Sequence, residues 1–156
     1  MAKATVSLGP EGYRTIIKSR DHEYIADEPL DEGGTDSGPM PTEMLLGALG
    51  ACIAVTCRLY AERKKWPLEG VDVSLDSERF KGKDYADYDG DELFVHEIRK
   101  SISFKGDDLT DDQRERLLEI AGKCPVHRLI ALPTFFKETL VDDIFADDEA
   151  EPLVRD

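Results

Sequence analysis

The segment of residues 42–65 constrains the fold more than any other part of the chain. Its centre, MLLGALGACIAVTC (44–57), carries an apolar or small residue at nearly every position, and charged residues return only in RLYAERKK (58–65). A helix that is apolar all round belongs in a protein interior. We therefore predict a central helix at 42–65, which one sheet and the second helix, or another chain, must cover.

The residues before this helix predict a small sheet. Three short strands, TVSL, YRTIIKS and EYIAD, are separated by a GPEG turn and a polar RDH break, so residues 4–27 read as an antiparallel meander. The following stretch, EPLDEGGTDSGPMP (28–41), is rich in glycine and proline, which makes regular structure unfavourable. It is predicted to be a connecting loop. Its length hints at a function or a subunit contact.

The residues after the helix predict a second antiparallel unit and a second helix. VDVSLDSERF (71–80) and LFVHEIRKSISF (93–104) alternate apolar and polar residues, as paired, half-buried strands do. Thr110 and Gln113 form the pattern of a capping box, which opens a helix at 110–123. A last strand is predicted at 133–141. The chain is thus expected to be one α+β domain over residues 1–141, followed by an acidic tail at 142–156.

Charge and composition narrow the classes of partner. The formal net charge is −14, and no basic stripe is present, which argues against a nucleic-acid partner. The N-terminus has no apolar signal region, and we expect no run to approach the ~18–20 apolar residues of a membrane span. Three cysteines fit poorly with a secreted disulfide framework. We expect a soluble cytoplasmic protein with no membrane partner.

Cys124 stands directly before Pro125, and proline favours the first position of a helix. Cys124 would then be an N-cap, where the helix dipole and free backbone N–H groups lower the pKa of a thiol. The alternative interpretation is that Cys124 continues the apolar face formed by Leu117, Ile120 and Ala121 as a small buried residue. The spacing alone leaves both interpretations open.

The other two cysteines lie on the predicted central helix. Cys52 and Cys57 are five residues apart, about 140° around a helix, so they cannot readily bond to each other. If Cys52 has a thiol partner, that partner is Cys124. The chain has no CxxC motif and no metal-ligand spacing among its cysteines and histidines. No metal or other resident cofactor is therefore expected.

Three stretches together resemble the OsmC/Ohr family, the osmotically inducible protein C and organic hydroperoxide resistance proteins, in its OsmC-like branch. They are the glycine-rich approach to Pro41, the LLGALGAC helix and the LLEIAGKCPVHR segment. The resemblance, which spans about residues 13–140, implies an α+β fold that intertwines as a homodimer around two long cysteine-bearing helices. It also implies reduction of organic hydroperoxides, with Cys52 as the peroxide-attacking thiol, Cys124 as the resolving thiol and an external dithiol as reductant.

The resemblance also implies an arginine and a glutamate that hold the reactive thiolate. Thr42 stands where the family's glutamate follows the proline, so the carboxylate is displaced to Glu43, which could serve only a neighbouring site through the dimer. Arg20 is preferred over Arg14 as the arginine. Cys57 has no role in the family pattern, and we interpret it as a packing residue of the core. The alternative function is a non-catalytic or redox-sensing OsmC-like dimer that binds a small apolar ligand.

Overall fold

A computed structural model describes residues 2–86 and 88–144, and the predicted α+β fold is confirmed. In these residues five strands and three α-helices follow one another along the chain. Their bounds are β1 Thr5–Leu8, β2 Thr15–Ser19, β3 His22–Ala26, α1 Pro41–Lys64, β4 Gly70–Lys81, β5 Phe94–Lys105, α2 Asp111–Ala121 and α3 Pro125–Ala131.

The strands form two separate antiparallel sheets. The first has the order β1-β2-β3, and the second is the long pair β4-β5, in which Val73 lies opposite Ile102. The alternation of the β4 and β5 sequences places Val71, Val73 and Ile102 on one face, where they pack against the core helix α1. By contrast, the β1-β2-β3 sheet makes at most marginal contact with the helices of the same chain.

One side of α1 is the centre of the core. Its buried residues, Leu49, Ile53, Cys57 and Ala61, recur every four positions and so lie along one side of the helix. Gly50 lies against β4, where an added Cβ would come within 2.9 Å of Leu75 Cδ1, so its lack of a side chain allows a close approach. The remaining buried members of the core cluster are Leu68, Phe104, Leu109, Leu117, Ala121 and Cys124.

The other side of α1 is exposed in a single chain, so the sheet and the second helix do not cover the whole helix and the alternative of cover by another chain stays a prediction. Leu45, Val55 and Leu59 are each about half exposed. By length and composition α1 would also be able to cross a membrane, contrary to the expectation that no run reaches that length, although core helices of soluble proteins meet the same criteria. One chain supplies only one sheet face and two short helices, too little surface to enclose the whole helix.

Two arginines fix the helices to the ends of the β4-β5 pair. Arg58 of α1 donates hydrogen bonds to the carbonyl oxygens of Leu68 (2.5 Å) and Glu69 (2.8 Å), just before β4 begins. Arg114 of α2 donates in the same way to the carbonyl oxygens of Phe104 and Gly106 at the end of β5. Each guanidinium therefore satisfies two backbone acceptors outside the sheet ladder.

The helix starts agree with the sequence. Thr110 and Gln113 form the predicted reciprocal capping box at α2, with hydrogen bonds of 3.1 and 3.2 Å. Cys124 is the N-cap of α3, and Pro125 is its first residue. The central helix and α2 begin and end within two residues of the predicted bounds.

The predicted strand at 133–141 is absent, because these residues have no regular secondary structure. A strand needs a partner edge, and none of the described strands of the same chain pairs with this segment. Its apolar side chains are instead exposed, with Phe135 at 88%, Phe136 at 81% and Leu140 at 99% of their full accessibility. Of the acidic tail, residues 145–156 lie outside the described residues.

The loop between β3 and α1 is organised by one buried carboxylate. Asp27 accepts five hydrogen bonds, from the backbone N–H groups of Glu28, Thr35 and Ser37 and from the hydroxyls of Thr35 and Ser37. These bonds hold the pKa of Asp27 well below its usual range, the Thr35 hydroxyl being the largest cause. Gly34 is required for the same packing, because a Cβ there would lie 1.8 Å from the Glu28 carbonyl oxygen.

The first testable prediction concerns this carboxylate. Because the pKa of Asp27 is depressed in the folded state, its stabilisation is fully present above the unfolded pKa of about 3.9 and is lost as the pH falls toward the folded value. Asp27→Asn should therefore lower the free energy of unfolding at pH 7, and the difference from wild type should shrink below about pH 4. Urea denaturation of both proteins at several pH values measures this difference in the free energy of unfolding.

The matched control is Asp31→Asn, an exposed aspartate of the same loop. It should leave the free energy of unfolding almost unchanged at every pH. A difference between wild type and Asp27→Asn that stayed constant from pH 7 to pH 3 would contradict the role assigned to the Asp27 carboxylate.

Candidate functional site

The three cysteines converge on one region of the core, although Cys124 is 72 residues from Cys52 along the chain. Cys52 and Cys57 lie on α1, Cys124 caps α3, and all three are free thiols. Cys57 and Cys124 belong to the buried core cluster, and the half-buried Cys52 packs against it. The side chains of Cys52 and Cys124 are close enough for Cys52 to raise the pKa of the Cys124 thiol. The structure therefore brings together the two thiols that the sequence paired.

The position of Cys124 combines both interpretations that the sequence left open. It is an N-cap, whose Sγ accepts a hydrogen bond of 3.3 Å from the backbone N–H of His127, and it is also fully buried. Burial raises the pKa of the Cys124 thiol, and the neighbouring Cys52 raises it further, whereas the His127 and Val126 N–H groups lower it. The expected lowering of this pKa is thus wrong, because desolvation outweighs the helix terminus.

Cys57 is a packing residue in this structure. Its side chain is fully buried, and its Sγ donates a hydrogen bond of 3.5 Å to the Leu117 carbonyl oxygen of α2. Burial, and then the neighbouring Cys124, raise the pKa of Cys57 to about 11. A thiol with this pKa is almost entirely protonated at neutral pH and is a poor nucleophile.

The two predicted activating residues lie away from the thiol pair of their own chain. Arg20 is exposed in the turn between β2 and β3, with a φ of 56°, and Arg14 is exposed just before β2. Both belong to the sheet that barely touches α1. Glu43 lies in the first turn of α1 and accepts a hydrogen bond of 2.9 Å from the Met40 backbone N–H. Nine residues separate it from Cys52, a rise of about 13.5 Å along one helix.

An open groove of about 690 Å³ runs along α1 beside β4. Its floor on the helix consists of small residues, Gly47, Gly50, Ala51 and Ala54, and Glu43 lies at one end. Val71, Val73 and Leu75 of β4 form the opposite wall. The groove is mainly apolar, and the small residues at spacings of three and four would allow another helix to approach closely.

A smaller cavity, of about 270 Å³, lies between α1, β5 and α3. His96, Lys100 and His127 line it together with apolar residues, and Lys100 Nζ is 3.3 Å from His127 Nδ1. The sequence analysis did not single out this cluster. Alternation along β5 does place residues 96, 98 and 100 on the same face as the core residues 102 and 104, but their approach to α3 depends on the tertiary fold.

Among the residues that the structure describes, no group of three or more His, Cys, Asp or Glu side chains is arranged to hold a metal ion.

Comparison with known families gives one match. The family described as OsmC-like protein matches residues 34–139, which include α1, both long strands and the capped Cys124. No curated protein sequence matches the chain significantly.

Solved structures share the fold at low sequence identity. An organic hydroperoxide resistance protein OsmC of Legionella pneumophila is 19% identical with a TM-score of 0.60, over 83% of this chain and 88% of that chain. An OsmC-like protein of Mycoplasma pneumoniae is 18% identical with a TM-score of 0.63, over 84% and 87%. An organic hydroperoxide resistance protein of Elizabethkingia anophelis, solved with thiocyanate bound, is 20% identical with a TM-score of 0.58, over 82% and 86%.

The second testable prediction is an order of thiol reactivity. In the folded, reduced protein at pH 8, iodoacetamide should modify Cys52 first, because Cys52 is partly exposed whereas Cys57 and Cys124 are fully buried. With a pKa of about 11, Cys57 is a thiolate in about one molecule in a thousand at this pH and should react only after unfolding. Peptide mass spectrometry over time measures the three rates.

The control is the same experiment in denaturant, where the three cysteines should react at similar rates. Modification of Cys57 as fast as Cys52 in the folded protein would contradict the burial described above.

Proposed function

The chain belongs to the OsmC-like protein family, and we propose that it is a thiol-dependent peroxidase that reduces organic hydroperoxides through Cys52 and Cys124. The observation that carries this proposal is the contact between these two thiols, one partly exposed on α1 and the other capping α3. The peroxide-related function of the family supports an organic hydroperoxide as the substrate, since the two hydroperoxide resistance proteins described above share this fold.

The proposed reaction uses the pair in sequence. The Cys52 thiolate attacks one oxygen of the O–O bond, the bond breaks, and the leaving alkoxide takes a proton to become an alcohol. Cys52 is then a sulfenic acid. The Cys124 sulfur attacks it, water leaves, and a Cys52–Cys124 disulfide forms. An external dithiol reduces this disulfide by thiol exchange and is itself oxidised, so one hydroperoxide and one dithiol give an alcohol, water and a new disulfide.

The electrostatics of Cys124 suit the resolving role. Its raised pKa favours a protonated Cys124 thiol, because burial disfavours the thiolate and repulsion from the neighbouring Cys52 disfavours it further. Conversion of the Cys52 thiolate to a neutral sulfenic acid removes the repulsion. The His127 and Val126 N–H groups then lower the pKa of Cys124 against the remaining effect of burial, which still raises it.

The surroundings favour an apolar hydroperoxide. Leu45 and Val55 of α1 lie within two turns of Cys52 and are about half exposed. An alkyl or fatty-acid hydroperoxide can bury hydrocarbon against such side chains, whereas hydrogen peroxide cannot. We place the reaction in the cytoplasm, where thiol reductants keep all three cysteines reduced.

We further propose that the working unit is a homodimer. In the part of the chain that the structure describes, three apolar surfaces lack a cover, namely the exposed side of α1, the β1-β2-β3 sheet and residues 133–141. A second copy would cover all three, since the small residues of the groove allow helix packing and the unpaired segment 133–141 can add to a strand edge. Closed symmetric dimers are the commonest form of soluble oligomer.

The dimer also gives the predicted activating residues a place. Arg20 and Glu43 do not approach the thiol pair of their own chain. Glu43 lies in the open groove and the Arg20 turn is exposed, so each is free to approach the thiol pair of a second copy. We propose that the partner chain brings one or both of them to Cys52.

A second candidate function is a non-catalytic or redox-sensing dimer that binds a small apolar ligand. The open apolar groove beside α1 and the absence of Arg20 and Glu43 from the thiol pair of one chain favour it. Such a protein would retain the ligand and would be oxidised once, without turnover.

The third testable prediction separates these functions. With cumene hydroperoxide and excess dithiol, the wild type should turn over many times, and Cys52→Ser should lose at least about 100-fold in rate, because the nucleophile is absent. Cys124→Ser should form a sulfenic acid at Cys52 that dimedone traps. Mass spectrometry of the oxidised wild type should show a Cys52–Cys124 disulfide.

The matched control is Cys57→Ala, which removes a buried thiol without touching the proposed pair and should retain turnover. Peroxide consumption by Cys52→Ser at the wild-type rate would exclude the peroxidase. A single oxidation of the wild type per chain, with no turnover in excess dithiol, would favour the redox-sensing alternative.

The fourth testable prediction concerns assembly. Light scattering at micromolar concentration should give twice the 17.5 kDa mass of the chain. Leu59→Glu on the exposed side of α1 should weaken the dimer by at least about tenfold, because it places a charge in an apolar interface. The matched control is Leu118→Glu, an equally exposed leucine on α2, which should leave the mass unchanged. A well-folded wild-type monomer would contradict the dimer.

A further inference from the structure

The cavity between α1, β5 and α3 has a mixed lining. Its walls are the apolar side chains of Leu49, Ile98, Ile130 and Ala131, and its polar groups are His96, Lys100 and His127. At about 270 Å³ it is slightly smaller than the ~300–1,000 Å³ of sites for drug-sized ligands, which suits a smaller molecule. Neither Cys52 nor Cys124 is among the residues that line it, so this cavity is distinct from the thiol pair.

Lys100 is the unusual group in this lining. It is half-buried, and its polar contact is the ring of His127 at 3.3 Å. Among the described residues, no carboxylate lies within ion-pair distance of it, although other lysines of this acidic chain have such partners. On the same strand, Lys105 lies 2.6 Å from Asp72. A partly desolvated ammonium without a counter-charge indicates a place for an anion.

His127 completes the polar end of the cavity. Burial, and then the charge of Lys100, lower the pKa of His127, so its ring is neutral near pH 7. Because Nδ1 faces the Lys100 ammonium, it accepts a hydrogen bond, and the proton of the neutral ring lies on Nε2. The cavity thus offers two donors, an ammonium and an imidazole N–H, beside an apolar wall.

We propose that this cavity binds a small amphiphilic carboxylate. The carboxylate lies against the Lys100 ammonium, and the short hydrocarbon part packs on Leu49, Ile98 and Ile130. Both parts contribute, because a carboxylate without hydrocarbon leaves the wall empty and a hydrocarbon without charge leaves Lys100 unpaired. The net charge of −14 repels anions in general, so binding depends on these local donors.

The site borders the thiol pair through α3. The His127 side chain belongs to the cavity, and the His127 backbone N–H donates to Cys124 Sγ. A carboxylate bound there contacts the first turn of the helix that positions Cys124. The binding site itself does not depend on peroxide turnover and stands apart from the proposed function.

Isothermal titration of the reduced protein at pH 7, with no peroxide present, tests the site. Hexanoate should bind saturably with one site per chain, and both 1-hexanol and inorganic phosphate should bind at least about tenfold more weakly, a difference of about 1.4 kcal/mol. Equal binding of hexanol and hexanoate would overturn the proposal, because the cavity would then recognise only hydrocarbon. Absence of saturable hexanoate binding would overturn it as well.

Substitutions of lysines on β5 test whether hexanoate binds beside Lys100. Lys100→Met should weaken hexanoate binding at least about tenfold, and Lys100→Arg, which keeps the charge, should retain most of it. Lys105→Met, which alters an exposed lysine of the same strand, is the matched control and should bind as wild type does. Circular dichroism establishes that each variant is folded. Unchanged hexanoate affinity in folded Lys100→Met would show that the anion binds elsewhere and would overturn the assignment.

Discussion

The structure depends on one physical constraint, which is that α1 carries more apolar surface than a single chain of this size can cover. The β4-β5 face and α2 enclose the side that holds Leu49, Ile53, Cys57 and Ala61. The opposite side, with Val55 and Leu59, is left in contact with solvent. Burial of apolar area is the dominant favourable term in folding and association, at about 25 cal/mol per Å². The proposed dimer completes the enclosure of this helix.

The packing around the same helix determines how deeply each thiol is buried, and burial affects the pKa and reactivity of each thiol. Cys57 lies on the enclosed side, where burial raises its pKa to about 11 and leaves it unreactive. Cys52 lies at the edge of that side and stays partly exposed. Cys124 comes from another helix, and its N-cap geometry competes with desolvation for the charge on sulfur. The proposed sulfenic acid and disulfide cycle would use the partly exposed Cys52 thiol and the buried Cys124 thiol beside it.

Charge is arranged differently on the two faces of the β4-β5 pair. Arg99, on the solvent face, has carboxylate partners in Asp76, Glu78 and Glu97. Lys100, the next residue, points to the opposite face and meets the neutral ring of His127 instead. Exposed ion pairs contribute little to stability, whereas Lys100 is half-buried beside a cavity and has no carboxylate partner among the described residues. This contrast between Arg99 and Lys100 supports the proposed anion site.

Local sequence determined most of the elements of this protein. The alternation of β4 and β5, the Thr110 box, the Cys124–Pro125 cap and the apolar length of α1 each depend on residues near one another in the chain, so they could be predicted. Tertiary structure decided the rest. The segment 133–141 has a strand pattern but no neighbouring edge, and the net pKa of Cys124 depends on how deeply α3 packs. Lys100 meets His127 only because β5 and α3 pack together, and burial and long-range contact are not properties of any local stretch.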